Sequence, residues 1–193
     1  MGNAEVEFEE RLNEYMKNVP LCEEGRNMLK EMGYFDAPAS GHHHLAEHGG
    51  LVKHSVNVTK WLLKLTESLE VQWPRTESPY IVGMFHDVIK ARCYAFQSGG
   101  AEESIIRVPH PYAGHGSASA IIVCTELGLQ LHPAEASAIV HHMGAFHLEG
   151  NELKDYDRAL QIYPKEIIAT HTADMMAARW EEEYVLHREC ANA

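Results

Sequence analysis

Basic residues are scarce in this chain: 16 lysines and arginines stand against 28 aspartates and glutamates, a formal charge of −12 over 193 residues. Gripping long DNA or RNA needs a basic surface, so this balance argues against that class, while leaving room for a small anion held by a few local cations. Cysteine is sparse too. Cys22, Cys93, Cys124 and Cys190 are scattered and form no Cys-x-x-Cys pair, which favours a reduced intracellular chain with unpaired thiols over a disulfide scaffold. No apolar run has the length of a membrane span, and the opening Met-Gly-Asn-Ala-Glu-Val-Glu lacks the features of a signal peptide. No membrane partner and a cytoplasmic location are therefore expected. A hydrophobic share of 45% and a charged share of 23% belong to an ordinary globular protein. One domain is the most economical reading of the length, with two small domains the weaker alternative.

Histidine is what the chain has in excess. Of fourteen, thirteen fall between His42 and His171, too scattered for an expression tag and too concentrated for random surface use. Imidazole is the commonest metal ligand and a frequent general acid or base, so the enrichment points to chemistry in the middle of the chain.

The sharpest local pattern is His86-Asp87, inside the apolar run Tyr-Ile-Val-Gly-Met-Phe-His-Asp-Val-Ile-Lys that spans residues 80–90. Read as a helix, this run puts Tyr80, Met84, Asp87 and Val88 on one face, so the carboxylate points where its apolar neighbours point. A core carboxylate is expensive without a positive partner, and a metal ion is the usual one. Adjacent His and Asp side chains are close enough to reach the same ion, and Lys90 overhangs the same spot. The competing reading is a helix end with a buried histidine and a capping or ion-paired aspartate.

The flanking chain reads as a series of helices. Residues 4 to about 18 and 23–32 have amphipathic spacing, separated by Pro20, and suggest a packing layer or a homodimer contact. Residues 37–50 form a loop with His42, His43, His44 and His48, at least one of which could line a pocket mouth. Residues 51–65 form a clear helix with an inward stripe of Leu51, His54, Ser55, Val58, Leu62 and Leu65; a satisfied core histidine is the bland account of His54. Ser78 or Thr76 is expected to cap the helix carrying His86. Residues 91–111 look irregular and hold Arg92, Tyr94, Gln97, Arg107 and His110, suited either to recognising an anion or to a solvated connection. His115 sits at the N-terminal side of a helix over residues 117–127, and another over residues 134–142 finishes with His141-His142. Residues 146–158 read as acidic loop with a short helix. Pro164 starts a long helix, residues 165 to about 186, with Ile167, Ile168, His171, Asp174, Met175 and Ala178 inward. Asp174 is thus a second inward carboxylate, and a salt bridge to Arg179 or Lys165 is its competing explanation.

The order His54, His86-Asp87, His115, His141-His142, Asp174 resembles the HD superfamily of metal-dependent phosphohydrolases, in the subset with the pattern His … His-Asp … His … His … Asp. The wording is similar as well. His43-His44 followed by Gly49-Gly50-Leu-Val-Lys-His54-Ser resembles the entry of the HD domain in certain 3′-to-5′ exoribonucleases and conjugative relaxases, and Phe85-His-Asp-Val-Ile-Lys90 matches His-Asp-(Ile/Val)-x-Lys. The resemblance covers roughly residues 40 to 180. Two departures stand out: His141-His142-Met-Gly replaces His-His-Gly, so either histidine could be the ligand, and the nucleic-acid-binding domain of the nuclease relatives has no counterpart.

The resemblance implies an all-α fold, a single HD-domain-like helical bundle with the metal site in its centre. Residues 1–36 would pack on the metal-binding domain of residues 37–190. It implies two divalent ions (Mn, Fe, Mg, Ni or Co), the first on His54, His86, Asp87 and Asp174 and the second on Asp87, His115 and His142. Asp87 and Lys90 would take catalytic roles, and Lys90, Arg92, Arg107, His110 and His141 would contact a small phosphorylated substrate, a nucleotide first of all. Two further classes share this pattern: HD-type diiron oxygenases acting on a small phosphonate or polyol, and a non-catalytic nucleotide-binding module.

Overall fold

The computed structural model describes residues 3–99, 102–112, 114–146 and 148–182. Two N-terminal helices, α1 (Asn3–Lys17) and α2 (Glu23–Glu31), flank Pro20, and the Cys22 thiol caps α2 by accepting the Gly25 amide. Both pack on the rest through Tyr15, Leu29 and Tyr34. The Tyr34 hydroxyl donates to the Met84 carbonyl at 2.5 Å, tying this layer to the chain just before His86.

Helix α3 (Gly50–Ser68) is the central element. Leu51, His54, Ser55, Val58 and Leu62 on it are buried, as the helical spacing predicts. Helix α4 (Ser78–Phe85) lies against it. Here the structure corrects the single helix expected over residues 80–90. The α-helix stops at Phe85, His86 and Asp87 sit at its C-terminal end, and Val88–Arg92 form a tighter 3-10 turn. Asp87 is the half-in residue before that turn, so the turn, and not an α-helical face, aims its carboxylate.

The all-α expectation needs a second correction. The fold is mostly helical, but β1 (Tyr94–Gly99) and β2 (Glu102–Arg107) form an antiparallel hairpin in register Tyr94↔Arg107 and Phe96↔Ile105, within the segment read as irregular. His48 pins it, stacking on Phe96 with ring centroids 3.6 Å apart and reaching Glu103 at 2.8 Å. Then come α5 (His115–Thr125), α6 (Pro133–Val140), α7 (Gly150–Ile162) and α8 (Pro164–Met175), with a π-helical continuation over Met176–Glu182. Helix α7 is longer than the short helix expected in the acidic stretch. Of the stripe expected on α8, Ile167 is buried and Ala178 nearly so, but Ile168 and Met175 face outward; Thr170, Ala173 and Ala177 take the inward positions. The part of that helix expected over residues 183–186 lies outside the described residues, as do His187 and Cys190.

Ser78 does not cap α4. Its hydroxyl donates to Glu135 of α6 at 2.7 Å, and Thr76 instead donates to the neighbouring Glu77. Arg75 grips the same buried Glu135 with two donors, at 2.7 and 2.8 Å, and the His132 amide completes the set. A buried carboxylate satisfied on this many sides is a rigid link between α4 and α6, the two helices that end in His86 and near His142.

Two glycines set how close the helices come. A Cβ on Gly83 would stand 2.7 Å from the Thr59 Cα, and one on Gly116 would stand 2.6 Å from the Ile139 carbonyl oxygen. The first close approach brings the α4 terminus onto His54; the second brings α5 onto the end of α6. Gly83→Ala is therefore expected to force α3 and α4 apart and to cost about 1–3 kcal/mol by overpacking, read as a lower midpoint in urea. An unchanged midpoint would show that the close crossing is not required.

Candidate metal centre

Three imidazoles and two carboxylates meet where α3, α4, α6 and α8 converge. His54, His86, Asp87 and His142 are buried, and Asp174 is nearly so. His54 Nε2 lies 3.1 Å from Asp174 Oδ1, 3.3 Å from His86 Nε2 and 4.0 Å from Asp87 Oδ2. His86 Nε2 lies 3.5 Å from Asp87 Oδ2 and 3.9 Å from Asp174 Oδ1. Ligands at about 2.1 Å from one octahedral ion stand about 3.0 Å apart when adjacent and about 4.2 Å apart when opposite. The separations among His54, His86 and Asp87 fall in that range, and Asp174 approaches the same space from the side of His54 and His86. His54, His86 and Asp87 together form a group that could hold a metal.

The imidazoles are aimed by what their other nitrogen does. His86 Nδ1 donates to the Gly83 carbonyl at 2.9 Å, and His142 Nδ1 to the Ile139 carbonyl at 2.7 Å. A carbonyl only accepts, so Nδ1 carries hydrogen in both rings and Nε2 turns inward. His142 Nε2 then faces Asp87 Oδ1 at 3.4 Å, and both atoms are buried without a hydrogen-bond partner. Two such atoms facing each other are expensive in a protein interior unless a proton or an ion lies between them; burial works against charge on His142, but Asp87 overcomes it and raises the ring above its usual value. Asp87 thus directs Oδ2 to the His54 side and Oδ1 to the His142 side.

Charge on this cluster is strongly coupled. Burial opposes ionisation of Asp87, but the Lys90 ammonium, 2.6 Å from Oδ2, and the neighbouring imidazoles outweigh it and hold the carboxyl well below its usual range. Lys90 is raised in turn: burial works against its charge and Asp87 overcomes it. Asp174 is likewise held down, since His54 more than offsets its burial. Burial alone would depress His54, yet the hydrogen bonds it donates to Asp174 and Glu182 push it up to about 9. His86, with burial dominant, falls to about 4.

The other expected site residues divide. His115, the first residue of α5, is half-buried; burial lowers it, and it senses Asp87, Lys90 and His142. The pair His141-His142 is resolved by position: His142 points to the centre, while His141 turns away to meet the Tyr156 ring edge-on at 5.5 Å. Arg92 is spent on Glu126, which also accepts from Tyr112. Arg107 is exposed at the hairpin base, and His110 stacks on Tyr112 with Nδ1 buried and without a partner. Of the two partners considered for Asp174, Lys165 is engaged elsewhere, donating to the Leu69 and Glu70 carbonyls. Two neighbours were not among the expected ligands: His44, named only as a loop histidine that could line a pocket mouth, and Glu182, not singled out at all. His44 lies with its ring 5.0 Å from His54, and Glu182 hydrogen-bonds His54 Nδ1 at 3.1 and 3.2 Å. His44 belongs to a conspicuous histidine run, whereas Glu182 is one acid among three and carries no sequence signal of its own.

What fold and site define is a mostly helical protein with a buried His/Asp cluster able to hold a metal ion. Comparison with family models, with curated proteins and with solved structures gives no match. Among the described residues no helix is long and apolar enough to cross a membrane.

A ligating imidazole must give up its proton to the ion. With His54 at about 9, above the ~6.5 of an unfolded chain, its ion pairs stabilise the metal-free fold fully below pH 6.5 and fade as the pH rises toward 9. Metal affinity must run the opposite way. It is expected to climb about tenfold per pH unit between pH 7 and 9, with proton release detected by calorimetry in buffers of different ionisation enthalpy. A flat profile would mean that His54 is not displaced by the metal.

Proposed function

We propose that the chain is an HD-type metal-dependent phosphohydrolase that cleaves a phosphate ester of a small nucleotide. The observation that carries this reading is Asp87. Oδ2 faces His54 and His86 while Oδ1 faces His142, and Oδ1 and His142 Nε2 are both buried without a hydrogen-bond partner. His54, His86, Asp87 and Asp174 would hold a first ion, and Asp87, His142 and His115 a second. The order of these residues along the chain, which resembles the HD pattern, agrees with this grouping.

Divalent ions in such a site supply a bound water acidified to near neutrality and polarise a phosphoryl oxygen. The residues of the chain do the rest. Asp87, with one oxygen toward His54 and His86 and the other toward His142, would tie the two halves of the site together. Lys90 stays charged beside it and neutralises charge that grows on the phosphate. Arg107 and His110, on the hairpin side, suit the phosphate or ribose of a small ligand, whereas Arg92 is held by Glu126. The acidic surface of the chain, −12 overall, fits a small substrate better than long nucleic acid.

The test is metal analysis of the purified protein, followed by phosphate-release assays over nucleotides with Mn, Fe, Mg, Ni and Co restored in turn. Asp87→Ala and Asp174→Ala are expected to lower turnover on the order of a thousandfold. Lys90→Ala should lower it about a hundredfold. Bound iron with oxygen consumption and no phosphate release would replace hydrolysis with oxygenase chemistry. Absence of turnover together with nucleotide binding indifferent to Asp87→Ala would make it a binding module.

A further inference from the structure

The three inward imidazoles are not held alike. His86 and His142 are oriented by backbone carbonyls, Gly83 and Ile139, three residues earlier. His54 has no such carbonyl. Its Nδ1 faces both carboxylate oxygens of Glu182, at 3.1 and 3.2 Å, and Glu182 is itself buried and held by Asn57 Nδ2 at 3.0 Å. An ionised carboxylate can only accept, so this contact keeps a hydrogen on Nδ1 and leaves Nε2 to face Asp174, His86 and Asp87.

The backbone is arranged to permit it. Asp174 and Glu182 are eight residues apart on one continuous helical run, and both address His54, from its two opposite nitrogens. The π-helical stretch Met176–Glu182 turns each residue by roughly 80° where an α-helix turns 100°. Over six steps this moves Glu182 round by roughly a third of a turn from the place a regular helix would give it. Neighbouring Glu181 instead faces Lys60 and Trp61.

We propose that Glu182 is a positioning residue of the metal centre, fixing the orientation and tautomer of His54 through a carboxylate–imidazole contact supplied by the π-helical turn. The inference rests on the metal-centre reading above. His44, His54 and Glu182 also form a group that could hold an ion of its own, but in the positioning role Glu182 acts through His54, setting how well that ring can donate its Nε2 lone pair.

Cobalt(II) is the probe, because its d–d absorption reports the ligand set directly. Titrated into the full-length protein, it is expected to bind about 10–100-fold more weakly to Glu182→Ala than to the wild type, and about tenfold more weakly to Glu182→Gln. The d–d bands should shift in both variants. Glu181→Gln, which disturbs the outer face of the same segment, should bind cobalt as the wild type does. The isosteric Glu182→Gln carries the test if the alanine variant does not fold. Wild-type affinity and spectrum in Glu182→Gln, or an equal loss in Glu181→Gln, overturns the positioning role while leaving the metal centre standing. A wild-type protein that binds no cobalt overturns both.

Discussion

The arrangement depends on keeping the Asp87 carboxylate out of water. Burying an ionised carboxylate costs several kcal/mol unless positive charge surrounds it, and Asp87 is almost fully buried. Lys90 meets one oxygen, and imidazoles from three helices approach both. Those imidazoles and Asp174 come from α3, α4, α6 and α8, so the requirement of one side chain fixes the convergence of four elements. The glycines at the α3–α4 and α5–α6 crossings, and the Arg75–Glu135–Ser78 link between α4 and α6, keep that convergence tight.

The centre is built at helix C-termini. His86 and His142 each follow the end of a short helix, where last-turn carbonyls retain capacity to accept from a side chain. Each ring takes such a carbonyl with Nδ1 and presents Nε2 inward. The His142 carbonyl is itself occupied, accepting from His171 Nδ1 at 2.7 Å. The negative end of a helix also favours cations. Helix termination, ring orientation and affinity for positive charge thus come from one local structure, used twice. On α3, where His54 sits inside a helix, the terminal carbonyl is missing and Glu182 stands in its place.

Much of this was legible in the sequence because the signals are local. The stripe on α3 from Leu51 to Leu62 follows helical spacing, and it puts His54 inward without reference to anything else. His86-Asp87 within an apolar run announces an expensive carboxylate, and Asp174 a second one. The hairpin was less legible: Gly99-Gly100 and the prolines at 109 and 111 made the segment look irregular, although Gly99 closes the first of two six-residue strands. The outward turn of Ile168 and Met175 was missed for another reason. Apolar residues on α8 outnumber the positions that face the core, so periodicity alone does not choose among them.

The sequence by itself determined that the chain is mainly helical, that His54 lies on an inward face, and that Asp87 and Asp174 need positive company. Each follows from spacing within a dozen residues and from the cost of burying charge. Only the tertiary structure decided the partners. It gave Asp87 to Lys90 and His142, gave Asp174 to His54, turned His141 out onto Tyr156, and brought Glu182 across 128 residues to the far side of His54. The physical reason is the same in each case. Which groups satisfy a buried charge is settled by where helices end and cross, and those crossings depend on contacts between residues far apart in the chain.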